Sequence, residues 1–402
     1  MTGSGTAFHD ADYPALPYPG RTPDCSFVHV DEVGRPLRAD PGTLAGWRVA
    51  GDGRDLDDWL AARHAPPLAG RVPVLTYGSN RCPEKITWLR RELGLRGPAV
   101  VLDATVTGVA AVWAAGLRAR DGQRPAVLAA APGVTERHAV WLATPEQVAV
   151  LDRCEGRGER YRLARLRTGE VRTADGVVLD RPWCYLAHGG QRRPLLVGRG
   201  TGGTSGAGGT GGDGTGGDGT GGADGPAPVR CAAVSQERAR TLVGAPAGGT
   251  APGDGLAADP VTGAPHPDQW PELLFSYGLL RPGYTGWSLV EPHRAGEPHA
   301  ARVAGTVHDT GLGYPALLPD ARHQVDGVLV PVHDPRSLLP ALDTYEGPDY
   351  RRVRVIAWCG EPATPTVAWA YTWIGARRNL RPAPRVDHSS GASGAAHSSD
   401  RN

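Results

Sequence analysis

An excess of charge of either sign is missing from this sequence: 43 Lys and Arg stand against 42 Asp and Glu, a formal net charge of +1. No global basic field is therefore present to hold a nucleic-acid backbone or an anionic membrane surface. Unbroken apolar runs approaching ~18 residues are absent too, so no membrane-spanning helix is expected. The opening stretch MTGSGTAFHDADYPALPYPG lacks the basic start and apolar core of a secretory signal. A soluble, cytoplasmic protein is the expectation. The cysteines, Cys25, Cys82, Cys154, Cys184, Cys231 and Cys359, form no C-x-x-C pair and no tight Cys/His cluster, and no H-E-x-x-H spacing occurs among the histidines. They read as reduced, mostly buried thiols, and neither a metal nor a cofactor has a visible carrier.

Glycine and proline are abundant instead, with 57 and 37 copies in 402 residues, beside 40% hydrophobic content. Both facts fit if Gly and Pro concentrate in arms and linkers around compact apolar blocks. The length suggests two domains. Residues 1–45 have no sustained periodicity and read as an irregular arm. Leu56, Trp59 and Leu60 follow at the i, i+3, i+4 spacing of a short amphipathic helix. Between 198 and 228 the sequence collapses into Gly, Thr and Asp with a repeated G-T-G-G-D-G unit. No apolar residue recurs in that unit to pack a calcium-binding roll, so a flexible, disordered insertion is expected. Residues 251–269 read as a linker and 383–402 as a disordered tail.

An internal repeat occupies the rest. Val72-Pro-Val-Leu-Thr-Tyr77-Gly78-Ser79-Asn80 and Glu272-Leu-Leu-Phe-Ser-Tyr277-Gly278-Leu279-Leu280 are each a short apolar run, read as a buried strand, ending in Tyr-Gly. Downstream, Leu151-Asp152-Arg-Cys-Glu155-Gly156 and Leu342-Asp343-Thr-Tyr-Glu346-Gly347 both spell L-D-x-x-E-G at the close of a helix. A basic, β-prone stretch follows each glutamate, from Tyr161 and from Tyr350, and each copy ends in an aromatic strand, 183–187 and 367–373.

A glutamate at a helix C-terminus, with glycine beyond it as a cap, sits where the helix dipole disfavours negative charge; burial acts in the same direction. Glu155 and Glu346 are thus candidate general acid–base groups. Asp152 and Asp343 read as local capping or salt-bridge residues. The Tyr-Gly loops offer the complementary half, since a strand bent through glycine can aim successive backbone amides at a carboxylate or an oxyanion. For either motif alone a structural role is the simpler reading; the paired recurrence favours a site.

These motifs resemble the γ-glutamylcyclotransferase-like superfamily. The second copy is the closer match: L-F-S-Y-G-L-L-R-P-G, then Gly313-Tyr314-Pro315-Ala316-Leu317, Val325-Asp-Gly-Val-Leu-Val-Pro-Val, L-D-T-Y-E-G and Y-R-R-V-R-V stand in the family's order and resemble the γ-glutamylaminecyclotransferase-like type. The first copy carries the Y-G-S-N form. The resemblance implies an α+β chain of two small mixed β-barrel domains, 46–250 and 270–382, joined by flexible Gly-rich segments, with Ser235–Gly244 as a closing helix. It implies cyclisation of a small γ-glutamyl amine or peptide to 5-oxoproline with release of the amine. Glu155 and Glu346 would be catalytic, without cofactor or metal, either in both domains or in a single active domain supported by the other. Tyr77, Gly78, Ser79 and Asn80, and Tyr277, Gly278, Leu279, Leu280 and Tyr314, would bind substrate. The second copy's Leu279-Leu280 departs from the Thr-Leu or Ser-Asn of many members, removing a hydroxyl from the loop. The competing expectation is a non-catalytic tandem module binding an acidic metabolite or a partner protein.

Overall fold

The structure is a computed structural model describing residues 5–190, 192–198, 226–248 and 254–382. Most of the Gly-rich insertion and the whole of the tail expected from the sequence lie outside the described residues.

The first half is built on a twelve-stranded sheet. Its principal elements are β1 (Phe27–Val30), β2 (Val33–Ala39), α1 (Leu56–Ala61), β3 (Val72–Thr76), α2 (Pro83–Leu93), β4 (Ala99–Trp113), β5 (Ala126–Ala143), α3 (Pro145–Glu155), β6 (Tyr161–Leu166), β7 (Trp183–Ala187), α4 (Gln236–Thr241) and β8 (Ala258–Pro260). The order across the sheet is β2-β1-β4-β5-β3-β7-β6-β8. Local chemistry explains the helices. Asp55 caps α1 by accepting from the amides of Asp57 and Asp58, and Leu56, Trp59 and Leu60 are buried as their spacing predicts. Thr144 and Gln147 form a reciprocal capping box at the start of α3, with Pro145 at its first position, and Gly156 closes it at φ +65°. In the long β4–β5 ladder the register shifts at Thr107/Gly108, and Gly108 adopts φ +87°, the signature of a bulge.

The second half forms β9 (Leu273–Ser276), β10 (His299–Ala304), β11 (Gln324–Pro331), α5 (Pro335–Glu346), β12 (Tyr350–Cys359) and β13 (Thr364–Trp373). Its strands close a five-stranded barrel in the order β9-β11-β10-β12-β13. The strand before each Tyr-Gly has the same neighbours in both halves. β3 pairs antiparallel with β5 and parallel with β7; β9 pairs antiparallel with β11 and parallel with β13. Hydrogen bonding closes a barrel in the second half, whereas the expected first barrel is instead drawn into the larger sheet. There the free edge of β4 is occupied by β1 at Ala99–Val101 and by residues 170–173 at Ala104–Thr107.

Two other expectations are corrected. The arm at 1–45 is not irregular throughout: β1 and β2 form a hairpin turned at Asp31 and Glu32, both at positive φ, and Val28 is fully buried. No Asn-Gly or Gly-Gly announces that turn, so its two-residue form was hidden. The segment 251–269 is not a plain linker either, since β8 adds to β6 and Pro267–Gln269 is a 3₁₀ turn. Ser235 caps α4 through the Arg238 amide, within the stretch expected to be the closing helix. On either side of the Gly-rich tract, Leu196 and Val197 pair with Pro228 and Ala227, so the described chain leaves and re-enters one small sheet.

A buried arginine joins the halves. Arg354 of β12 donates to the carbonyl oxygens of Leu68 (2.7 Å), Arg71 (2.6 Å) and Pro267 (2.9 Å), and its guanidinium lies 4.7 Å from the rings of both Trp270 and Trp369. Arg165 and Arg181 add ion pairs to Glu272. The halves are therefore packed together and are not merely tethered. All six cysteines are free, with Cys82 and Cys184 buried. Among the described residues no helix is long and apolar enough to cross a membrane.

Candidate active site

Each half contains a cavity beneath its Tyr-Gly loop, with the glutamate of L-D-x-x-E-G in the wall. Three hydrogen bonds fix the frame in both. The Tyr77 hydroxyl donates to the carbonyl of Tyr185 (2.5 Å), and Tyr277 donates to that of Tyr371 (3.0 Å). Tyr185 and Tyr371 in turn donate to Asp152 Oδ1 (2.6 Å) and Asp343 Oδ1 (2.7 Å). Tyr161 donates to the Ala126 carbonyl (3.0 Å), and Tyr350 to that of Pro315 (2.6 Å). Thus the strand, the helix and the aromatic terminal strand are bolted together around each glutamate. Asp152 and Asp343 also pair with Arg157 (3.1 Å) and Arg352 (3.3 Å), the salt-bridge role expected of them, while their bonds to tyrosine were not foreseen.

Glycine is needed in the loops for a different reason from the one expected. Neither Gly78 nor Gly278 has positive φ; a Cβ on Gly78 would come within 2.8 Å of the Tyr18 hydroxyl, and one on Gly278 within 3.0 Å of the Pro315 ring. The glycines allow close packing across the pocket mouth.

The second pocket, about 170 Å³, is lined by Tyr277, Gly278, Leu279, Leu280 and Tyr314, all anticipated, with Tyr345, Tyr350 and Tyr371 added by the structure. Glu346 accepts no hydrogen bond from the described residues, and burial alone pushes its carboxyl up to about 7. Gly347 ends its helix at φ +73°, as the sequence predicted.

The first pocket, about 360 Å³, brings together Tyr77, Gly78, Ser79, Asn80 and Glu155. Glu155 Oε1 accepts from Asn80 Nδ2 at 2.6 Å. Burial raises its pKa, against the opposing pull of Asn80, Lys85, Arg160 and Arg192. In both sites burial, more than the helix end invoked from sequence, carries the shift. Sequence reasoning missed the cations here and also Tyr18, which reaches the wall from the arm. Asn80 is buried, and its Oδ1 is enclosed without a donor. Either pocket thus places one buried carboxyl, its pKa raised, beside a glycine loop and a phenolic wall.

Comparison with known proteins gives one family match, and it lies in the second half. The family described as gamma-glutamyl cyclotransferase, AIG2-like, matches residues 274–390. No curated protein matches the chain. Among solved structures, YkqA from Bacillus subtilis is 20% identical over 26% of this chain, TM-score 0.22; the chain spans about a third, 36%, of that protein's length. An aig2-like protein from Mus musculus is 20% identical over 29% of this chain and 98% of its own, TM-score 0.23. At5g39720.1 from Arabidopsis thaliana is 25% identical over 28% of this chain and 77% of its own, TM-score 0.23.

Proposed function

We propose that the two halves of the chain are γ-glutamylcyclotransferase-like units, the first extending the expected 46–250 to take in Tyr18, β1, β2 and β8 and the second at 270–382, each cyclising a small γ-glutamyl amide to 5-oxoproline with release of the amine. The observation that carries the reading is the single buried carboxyl facing a Tyr-Gly loop in each pocket, held at Glu346 near neutrality. The family match over 274–390 supports it for the second half.

The chemistry needs little machinery because the nucleophile belongs to the substrate. Folding the glutamyl chain brings its α-nitrogen onto its own γ-carbonyl carbon, and the high effective molarity of that arrangement replaces a protein nucleophile. The carboxylate takes a proton from the α-ammonium, the α-nitrogen bonds to the γ-carbon, and the tetrahedral oxyanion forms. Protonation of the leaving nitrogen by the same carboxyl then lets the γ-carbon to nitrogen bond break. The α-nitrogen gives up two protons in all, and both finish on the amine, which departs as an ammonium. Loop amides of Gly78 to Asn80 and Gly278 to Leu280 receive the carboxylate or oxyanion oxygens. Tyr77 and Tyr277, held by their own hydroxyl bonds, shape the wall.

The test is 5-oxoproline release from a panel of γ-glutamyl compounds by the full chain, with Glu155→Gln and Glu346→Gln alone and together. Release that the double variant abolishes supports the reading. Compounds that bind the wild type without release would replace it with a tandem binding module.

A further inference from the structure

The two pockets share a frame but not a charge. Glu346 is the one charged residue in the lining of the second. The first is lined by Lys85, Arg118, Arg120, Arg160 and Arg192. Those cations are poorly neutralised. Arg118 (2.7 Å) and Arg120 (3.4 Å) share one carboxylate, that of Asp121. Arg160 spends its donors on the carbonyls of Glu155 and Cys154, which carry no formal charge. Arg192 makes no ion pair with a described residue, and its Nε is shut off from solvent without a partner. Lys85 is buried, its ammonium 3.3 Å from the Trp88 ring centroid, and desolvation lowers its pKa. Glu155 alone faces this group from within the lining.

A γ-glutamyl headgroup cannot balance it, because its α-ammonium and α-carboxylate cancel. The surplus must then meet the other end of the ligand. Concave, partly dry walls of one sign raise the local concentration of the opposite charge and make each contact stronger than in water. The first cavity is also about twice the volume of the second, leaving room for that end. Lys85, Arg160 and Arg192 all pull on the Glu155 carboxyl, so these cations stand around the reacting end of the pocket, within reach of a charge carried by the leaving amine.

We propose that the two pockets divide γ-glutamyl amides by the charge of the leaving amine: the first takes those whose leaving part bears a carboxylate or phosphate, the second those whose leaving part is uncharged. This rests on the cyclotransferase reading of both sites for its rate measurements, though not for its binding measurements.

The experiment uses the full chain with three probes: γ-glutamyl-glutamate, γ-glutamyl-phosphoethanolamine and γ-glutamyl-butylamine. In Glu346→Gln, with the first pocket alone intact, kcat/KM for the anionic probes should exceed that for the butylamide by about thirtyfold, and in Glu155→Gln the order should reverse. Arg192→Ala and Lys85→Met should each lower the anionic-to-uncharged ratio about tenfold, mainly through KM and less so in high salt. Whichever anion is preferred identifies the source, carboxylate or phosphate. Equal treatment of the probes by Glu346→Gln, or an unchanged ratio in both cation variants that melt like the wild type, overturns the proposal. Calorimetric binding separates the two failures. Anionic probes that bind, lose about tenfold affinity in Arg192→Ala and yield no 5-oxoproline sustain the division while ending the catalytic reading. Affinity indifferent to both variants ends the division whether or not turnover occurs.

Discussion

Position 80 and its counterpart, position 280, separate the two pockets most economically. Both stand third after the tyrosine of a Tyr-Gly loop, and the surrounding bonds, tyrosine to strand carbonyl, strand tyrosine to aspartate, and tyrosine across the cavity, are the same in kind. Asn80 gives Glu155 a donor at 2.6 Å, whereas Leu280 gives Glu346 none. One amide in place of one isobutyl group changes what an acidic group in the same frame experiences. In the first pocket hydrogen bonding and nearby cations oppose burial; in the second, burial acts unopposed. A mechanical frame shared by the two halves can therefore carry two electrostatic settings.

The largest test of that comparison removes both carboxyls. Glu155→Gln with Glu346→Gln should lower 5-oxoproline release by about 10²-fold or more, and the single variants should each leave the other pocket's share. If one single variant removes everything, the pockets are not equivalent in kind. Next, Arg354→Leu should destabilise the chain by about 3–5 kcal/mol in urea denaturation, because the carbonyls of Leu68, Arg71 and Pro267 lose their donor in a dry interface. Two separate transitions in that variant, against one in the wild type, would show that the clasp couples the halves. A slightly smaller effect concerns pH. Glu346 is raised from 4.5 to about 7, so the favourable contribution of its protonated form is complete below about 4.5, falls as pH rises, and is gone above about 7. The full swing is about 3 kcal/mol, and Glu346→Gln should flatten it in denaturation curves taken from pH 4.5 to 8. Smallest, Leu280→Asn should lower the pH midpoint of the second pocket's rate by about one unit, and Asn80→Leu should raise that of the first. A midpoint that stays put would mean that solvent, and not position 280, sets the acidity.

The parts of this molecule legible in the sequence were those encoded over short spans. The caps at Gly156 and Gly347, the apolar face of α1 and the paired Tyr-Gly and L-D-x-x-E-G marks each depend on residues a few positions apart. Features made by distant pairing were not legible. Tyr18 enters the first pocket from an arm with no periodic pattern, and the cations that line that pocket run from Lys85 to Arg192 with no common motif. Arg354 sits in a strand that reads as merely basic, and only its docking on Leu68, Arg71 and Pro267 makes it internal. Likewise, occupation of the β4 edge by β1 explains why the first half takes an extended sheet instead of the expected barrel.

Tyr18 also sets an order of assembly. Its amide reaches Gln123, its hydroxyl accepts from the Ala126 amide, and its carbonyl takes a bond from Gln236, 218 positions away. The frame bonds shared by the two sites span similar lengths, 108 from Tyr77 to Tyr185 and 94 from Tyr277 to Tyr371, so the long closure belongs to the Tyr18 wall, which the second site lacks among the described residues. Contacts between remote stretches form slowly because the intervening chain must first give up its freedom. A newly made molecule should thus gain its uncharged, aromatic chamber as a local event, while its cationic chamber waits for the two ends of the first half to find each other.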